Sequence, residues 1–139
     1  QKNELMIGDI IDILKDRTGP VFALVPSTHV FPIQRKQGSG VPAITVDLLD
    51  VKTNETKRQT SEIDFMTIQV IAYDDNPRDS FNIAQACRSM LDGHSEAITD
   101  GVMDIRFEDI ETGIIPDEDV FATITQFVVS VKRQGASRH

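Results

Sequence analysis

The sequence predicts a single α+β domain, a mainly antiparallel sheet with two helices packed on one face, in the order α-β-β-β-α-β-β. Three observations predict it. Ile63 to Tyr73 alternates as a long strand, IDFMTIQVIAY, and passes through DDNP into an amphipathic run that stops at Gly93. Two more alternating runs, Val102–Ile110 and Val120–Lys132, follow with local connections, which favour antiparallel neighbours. An amphipathic helix opens the chain, so helices and strands segregate rather than alternate.

That first helix is expected over Asn3–Lys15. Met6, Ile7, Ile10, Ile11 and Leu14 fall on one face, with Asp9, Asp12 and Lys15 opposite. Asn3 is placed to cap it, Lys15 and Arg17 suit its negative end, and Thr18-Gly19-Pro20 stops it. Val21–Val25 reads as a short apolar connector or helical turn. His29–Ile33 is extended, and Pro32, which cannot donate to a ladder, makes it an edge strand. After the basic, glycine-rich loop QRKQGSGVP comes a second strand, Ala43–Val51.

Lys52–Glu62 is wholly polar and longer than the two to five residues, roughly, that a hairpin needs. It reads as an exposed arm or as an ordinary surface loop. In the third strand Met66, Ile68, Val70 and Ala72 are all apolar and should meet the helices. Its other face carries Ile63, Phe65, Ile71 and Tyr73 around a polar middle, too apolar for open water, so either another segment or a neighbouring subunit is expected to cover it. At its C-terminal end Asn76 caps the second helix with Pro77 at its first position, Ile83, Ala84, Ala86, Cys87, Met90 and Leu91 form its stripe, and Gly93 ends it. Phe81 falls outside the stripe, either folded back over the helix start or offered to a partner. HSEAITDG then links to the fourth strand, where Met103, Ile105 and Phe107 share a face. ETGIIPDED exposes Ile114 and Ile115 beside an acidic tip, the fifth strand is apolar on parts of both faces, and residues 133–139 form a loose tail.

Bulk properties narrow the function. The chain has 139 residues, 40% apolar and 26% charged, ordinary for one globular domain with a real core. A net charge of -8 opposes phosphate binding. The single Cys87 precludes an internal disulfide, and Gly8, Asp9 and Asp12 break the N-terminal apolar run, so neither a signal peptide nor a membrane span is expected. His29, His94 and His139 lack metal-ligand spacing; His94 suits a helix C-terminus. Cys87 belongs to the core stripe. Asp74-Asp75 favours the following helix start, and Asp117-Glu118-Asp119 reads as a solvated loop tip. Walker, GxGxxG, GxSxG and HExxH motifs are missing, and residues 38–40 (GSG) do not open a helix. No catalytic, cofactor or metal residues are assigned, and the weight falls on structural work.

The ordered run from residue 3 to 132 resembles the tail-completion family of long-tailed bacteriophages, which act as tail terminators or tail-to-head joining proteins. It is carried by the initial helix and VFPI, by VPAITVDLL, by the strand ending VIAYDDNP, by SFNIAQACRSMLDG, and by MDIRFEDIE with VFATITQFVVSVK. Tyr73, Ala84, Ala86 and Gly93 match the family's aromatic strand end and small-residue helix stripe. The resemblance implies a non-enzymatic virion protein assembled in the host cytoplasm. It implies a ring, usually hexameric, that caps the tail tube and docks to the head connector, while DNA passes without specific binding and no membrane is involved. Contacts are expected from the arm (Lys52, Asn54, Glu55, Lys57, Arg58), the outer face (Phe65, Ile71, Tyr73) and the loop (Ile114, Ile115, Asp117, Glu118). The alternatives are a head-closure or adaptor neck protein and, from another class, a small ligand-binding or enzymatic α+β domain.

Overall fold

A computed structural model describes residues 2–26, 29–32, 40–53, 63–98, 101–115 and 120–133, with the backbone alone at 2–6, 50–53, 63–64, 96–98, 101–102, 115 and 132–133. The elements are α1 (Lys2–Leu14), α2 (Pro20–Leu24), β1 (Val30–Pro32), β2 (Ala43–Thr53), β3 (Ile63–Asp74), α3 (Pro77–Leu91), β4 (Ser95–Ile98), β5 (Gly101–Ile115) and β6 (Val120–Arg133). The six strands form one sheet in the order β1-β2-β3-β6-β5-β4. The α+β class holds, with two additions. Val21–Val25 contributes a true short helix, opened by Pro20. The link after α3 contains β4, which pairs with Gly101–Asp104. Its alternation is only four residues long, too short to stand out in sequence.

One local expectation is corrected, and the edge strand gains a direction. Asn3 lies inside α1, which already includes Lys2, so it is not the cap. The edge strand β1 is indeed terminal and short, but it runs parallel to β2, with Val30 opposite Ile44 and Pro32 opposite Val46. A hairpin would have made this pair antiparallel. All other pairs are antiparallel.

The core lies between one sheet face and the helices. Met66, Ile68, Val70 and Ala72 of β3 are buried there with Ile10 and Leu14 of α1, Val21 of α2, and Ile83, Cys87 and Leu91 of α3. Gly19 leaves the room that Met90 occupies; a Cβ at residue 19 would meet the Met90 thioether. α3 is held at both ends. Asn76 Oδ1 accepts from the amides of Arg78 (2.8 Å) and Asp79 (3.3 Å), and Gly93 adopts φ 81°, a left-handed turn that glycine takes without strain. Asn76→Ala is expected to lower unfolding free energy by about 1 kcal/mol. Urea titration would read this as a reduced midpoint at unchanged slope.

Beneath the first turn of α3 lies a polar seam that the helical stripe did not include. The Ser80 hydroxyl donates to the Ala72 carbonyl (2.8 Å) and sits 2.7 Å from Thr123 Oγ1, which is 3.0 Å from Thr112 Oγ1. Ser80 occupies the position three residues before Ile83 and four before Ala84, so spacing alone placed it on the core face. Its residue type concealed that.

Candidate assembly surfaces

The sheet face away from the helices is the surface on which the outer-face residues meet. Strand register builds it row by row. Thr45, Ile71, Ile124 and Glu111 lie level across β2, β3, β6 and β5; Asp47, Gln69, Gln126 and Asp109 form the next row. Thr67, Val128 and Arg106 follow, then Lys52, Phe65, Ser130 and Asp104. The middle is thus amphipathic, and the β5 side is acidic. Arg106 reaches Asp104 at 3.5 Å, an exposed pair of small energetic weight.

Coverage differs between the two ends of this face. At the Tyr73 end Ala43, Thr45 and Ala122 are buried. Tyr73 stands between Ala43 and Ala122 in register, and its hydroxyl lies 3.5 Å from Thr45 Oγ1. The one large side chain of that row shelters small neighbours. At the opposite end Phe65 is 38% exposed, and Ile71 between them is half-buried. The chain therefore closes one end of the face itself, and among the described residues no second layer covers the other.

The remaining predicted contacts divide. Ile114, 57% exposed, lies near the end of β5 opposite Phe121. Lys52 is placed by backbone register opposite Phe65, and Ile115 opposite Val120. Asn54, Glu55, Lys57, Arg58, Asp117 and Glu118 lie outside the described residues, as do most of the arm and the tail. Sequence reasoning passed over Leu49. It is the extra residue of a bulge between Leu48 and Asp50 and is 46% exposed on the β2 edge.

Among the described residues the helix layer offers two shallow grooves. One, of 280 Å³, is lined by Ala23, Leu24, Asp74, Asp79, Asn82 and Ile83; the other, of 360 Å³, by Gln85, Arg88, Ser89 and Asp92. Partial burial pushes the Asp74 carboxyl up, helped by the charges of Asp75 and Asp79 and partly offset by the hydrogen bond from the Asp75 amide (2.7 Å). A folded-state value above the unfolded one means that ionising Asp74 costs stability as pH rises through that window. Phe81 stays 39% exposed on the α3 flank that also carries Arg88, whose guanidinium lies 3.7 Å from the Phe107 ring centroid.

Among the described residues no group of three or more histidines, cysteines or carboxylates is placed to hold a metal, and no helix is long and apolar enough to cross a membrane. Cys87 is fully buried, and burial pushes its thiol up to about 12, so it stays protonated and inert at neutral pH. His29 Nδ1 lies 3.0 Å from the Pro42 carbonyl and its ring stacks on Phe31. The main chain of His94 closes the helix end, donating to the Leu91 carbonyl at 3.0 Å.

This fold is shared with a chain of the virion of a native gene transfer agent particle. The two superpose with a TM-score of 0.66 at 17% identity, covering 88% of this chain and 91% of that one. At that identity the likeness establishes a common fold. No family model and no curated protein matches the sequence.

Proposed function

We propose that this protein is a structural component of a phage-like virion, specifically a tail terminator. It forms a ring, usually a hexamer, that caps the tail tube and joins it to the head connector. The observation that carries the reading is the fold shared along nearly the whole length of a virion chain. The resemblance of the ordered sequence run to tail-completion proteins points the same way. The half-open sheet face supplies surface for a neighbouring subunit or the adjoining ring, with Phe65, Ile71 and Tyr73 as its apolar members. The net charge of -8 lets DNA slide past such a ring rather than adhere to it.

Reconstruction of the assembled particle tests the proposal. Density for this chain is expected as a ring between tail tube and head; density on the head side of the connector would instead make it a head-closure or adaptor protein. The arm has its own test. Deleting residues 54–60 keeps Thr53 in its register with Asp64. It is expected to leave a folded chain that no longer joins tails, and normal yields of infectious particles from that deletion would remove the arm from the contact.

A further inference from the structure

Among the described residues the sheet is left open along two diagonally opposite stretches of its edges, and their chemistry matches. On one side β4 borders only Gly101–Asp104 of β5. The main chain of Gly93 and His94 takes up Ile105 (2.8 and 2.9 Å), and Asp92 Oδ1 accepts the Phe107 amide at 2.9 Å. Beyond a bulge between Phe107 and Asp109, the Ile110 amide donates to Oδ1 of the adjacent Asp109 at 2.8 Å. Outward main-chain groups alternate along an edge strand, so Thr112 and Ile114 also present theirs to the open side. Glu108 to Ile114 are all exposed except half-buried Ile110.

On the other side, among the described residues, β1 borders only Ile44–Val46 of β2. The Leu48 amide donates to Oδ1 of the adjacent Asp47 at 2.8 Å, the same device as on β5. Leu48, Val51 and Thr53 face Ile68, Met66 and Asp64, alternate residues of β3, so Val51 and Thr53 share the outward setting of Leu48.

We infer that β5 of one copy pairs with β2 of the next, antiparallel, with Thr112 opposite Val51 and Ile110 opposite Thr53. This deepens the ring reading above and rests on it. β5 and β2 run in opposite directions within the sheet, so two copies in the same orientation meet antiparallel. The outward residues coincide in this register. It sets Glu111 against Lys52 on the helix-free face, and it sets exposed Ile114 against exposed Leu49. The contact joins two different edges, as a closing ring requires. In one chain Lys52 is level with Asp104, so each copy steps along the strands by roughly 20 Å. Over four strands, roughly 19 Å wide, that is a tilt near 45°, the slope at which sheets close.

The test is a cysteine pair, Lys52→Cys with Glu111→Cys, in the full chain under mild oxidation. Within one chain β3 and β6 separate these positions, well beyond the roughly 7 Å Cα spacing a disulfide spans. Every bond between residues 52 and 111 therefore joins two copies, and the buried Cys87 stays out of reach of the oxidant. Covalent multimers are expected on non-reducing gels from the double variant, and single chains or at most pairs from each single variant. In an otherwise native chain, Glu111→Lys is expected to weaken self-association about tenfold by light scattering, and Lys52→Glu added to it to restore it. If the native chain assembles but the cysteine pair forms no link and Glu111→Lys changes nothing, the edge contact is overturned and the ring reading stands. If the native chain stays monomeric both alone and on particles, the ring reading falls and this contact with it.

Discussion

Phe127→Ala is expected to cost about 3–5 kcal/mol and to lower the melting temperature by about 10–20 °C. Phe127 is the largest fully buried side chain and sits mid-sheet on the helix-facing side of β6. Ile68 lies opposite on β3 and Phe107 opposite on β5. The Phe107 ring meets it edge-on at 6.1 Å and 76°, and the Arg88 guanidinium covers Phe107 in turn. Truncation would leave a cavity bounded by sheet backbone below and α3 above, neither of which can collapse by a ring's width. Against a total stability of roughly 5–15 kcal/mol for a domain of this kind, that is a large fraction. Phe81→Ala, on the exposed flank of α3, is the control and is expected to stay within about 1 kcal/mol. Equal losses from the two would mean that the core is not centred where the sheet places it.

The helix-facing half of this molecule was legible because its residues obey one period at a time. Met66, Ile68, Val70 and Ala72 alternate without exception and are buried, and the stripe from Ile83 to Leu91 follows helical spacing into the same core. Illegible features depended on what lies across from a residue. Thr123 and Thr125 look like solvent-side residues in VFATITQFVV, yet both are buried. Thr123 is reached by Ser80 and Thr112, while Thr125 Oγ1 finds no hydrogen-bond partner among the described residues. The parallel pairing of β1 was hidden for the same reason, since strand direction is set by the return path and not by composition.

The candidate surface followed a similar division. That the outer face of β3 is too apolar for open water could be read from Phe65, Ile71 and Tyr73 alone. Which part is closed could not, because closure at the Tyr73 end comes from the cross-strand alanines Ala43 and Ala122 that frame the phenol. The edge chemistry was also invisible in sequence. Asp47 and Asp109 look like ordinary solvent-facing residues, yet each carboxylate accepts the next residue's outward amide on an open edge. Capped and bulged edges resist indiscriminate strand addition, which leaves pairing to a partner whose register fits.

That division makes Phe65→Asp the decisive assembly variant. Phe65 is the exposed end of the apolar face, so the chain alone is expected to lose only about 1 kcal/mol. Ile71→Asp is less clean, since Ile71 is half-buried between Thr45 and Ile124 and a carboxylate there burdens the fold itself. Against a neighbour, the aspartate of Phe65→Asp must be desolvated without a partner, which costs several kcal/mol and is expected to weaken that contact at least a hundredfold. Light scattering of the purified variant and tail joining in particles separate the two neighbours proposed for this face. Loss of rings places Phe65 between subunits. Intact rings that fail to join tails place it between rings, the outcome expected if β5 and β2 already hold the subunits together. Normal rings and normal joining would show that Phe65 is an isolated apolar residue in water, which folded surfaces tolerate, and the proposed role of this face in assembly would fall.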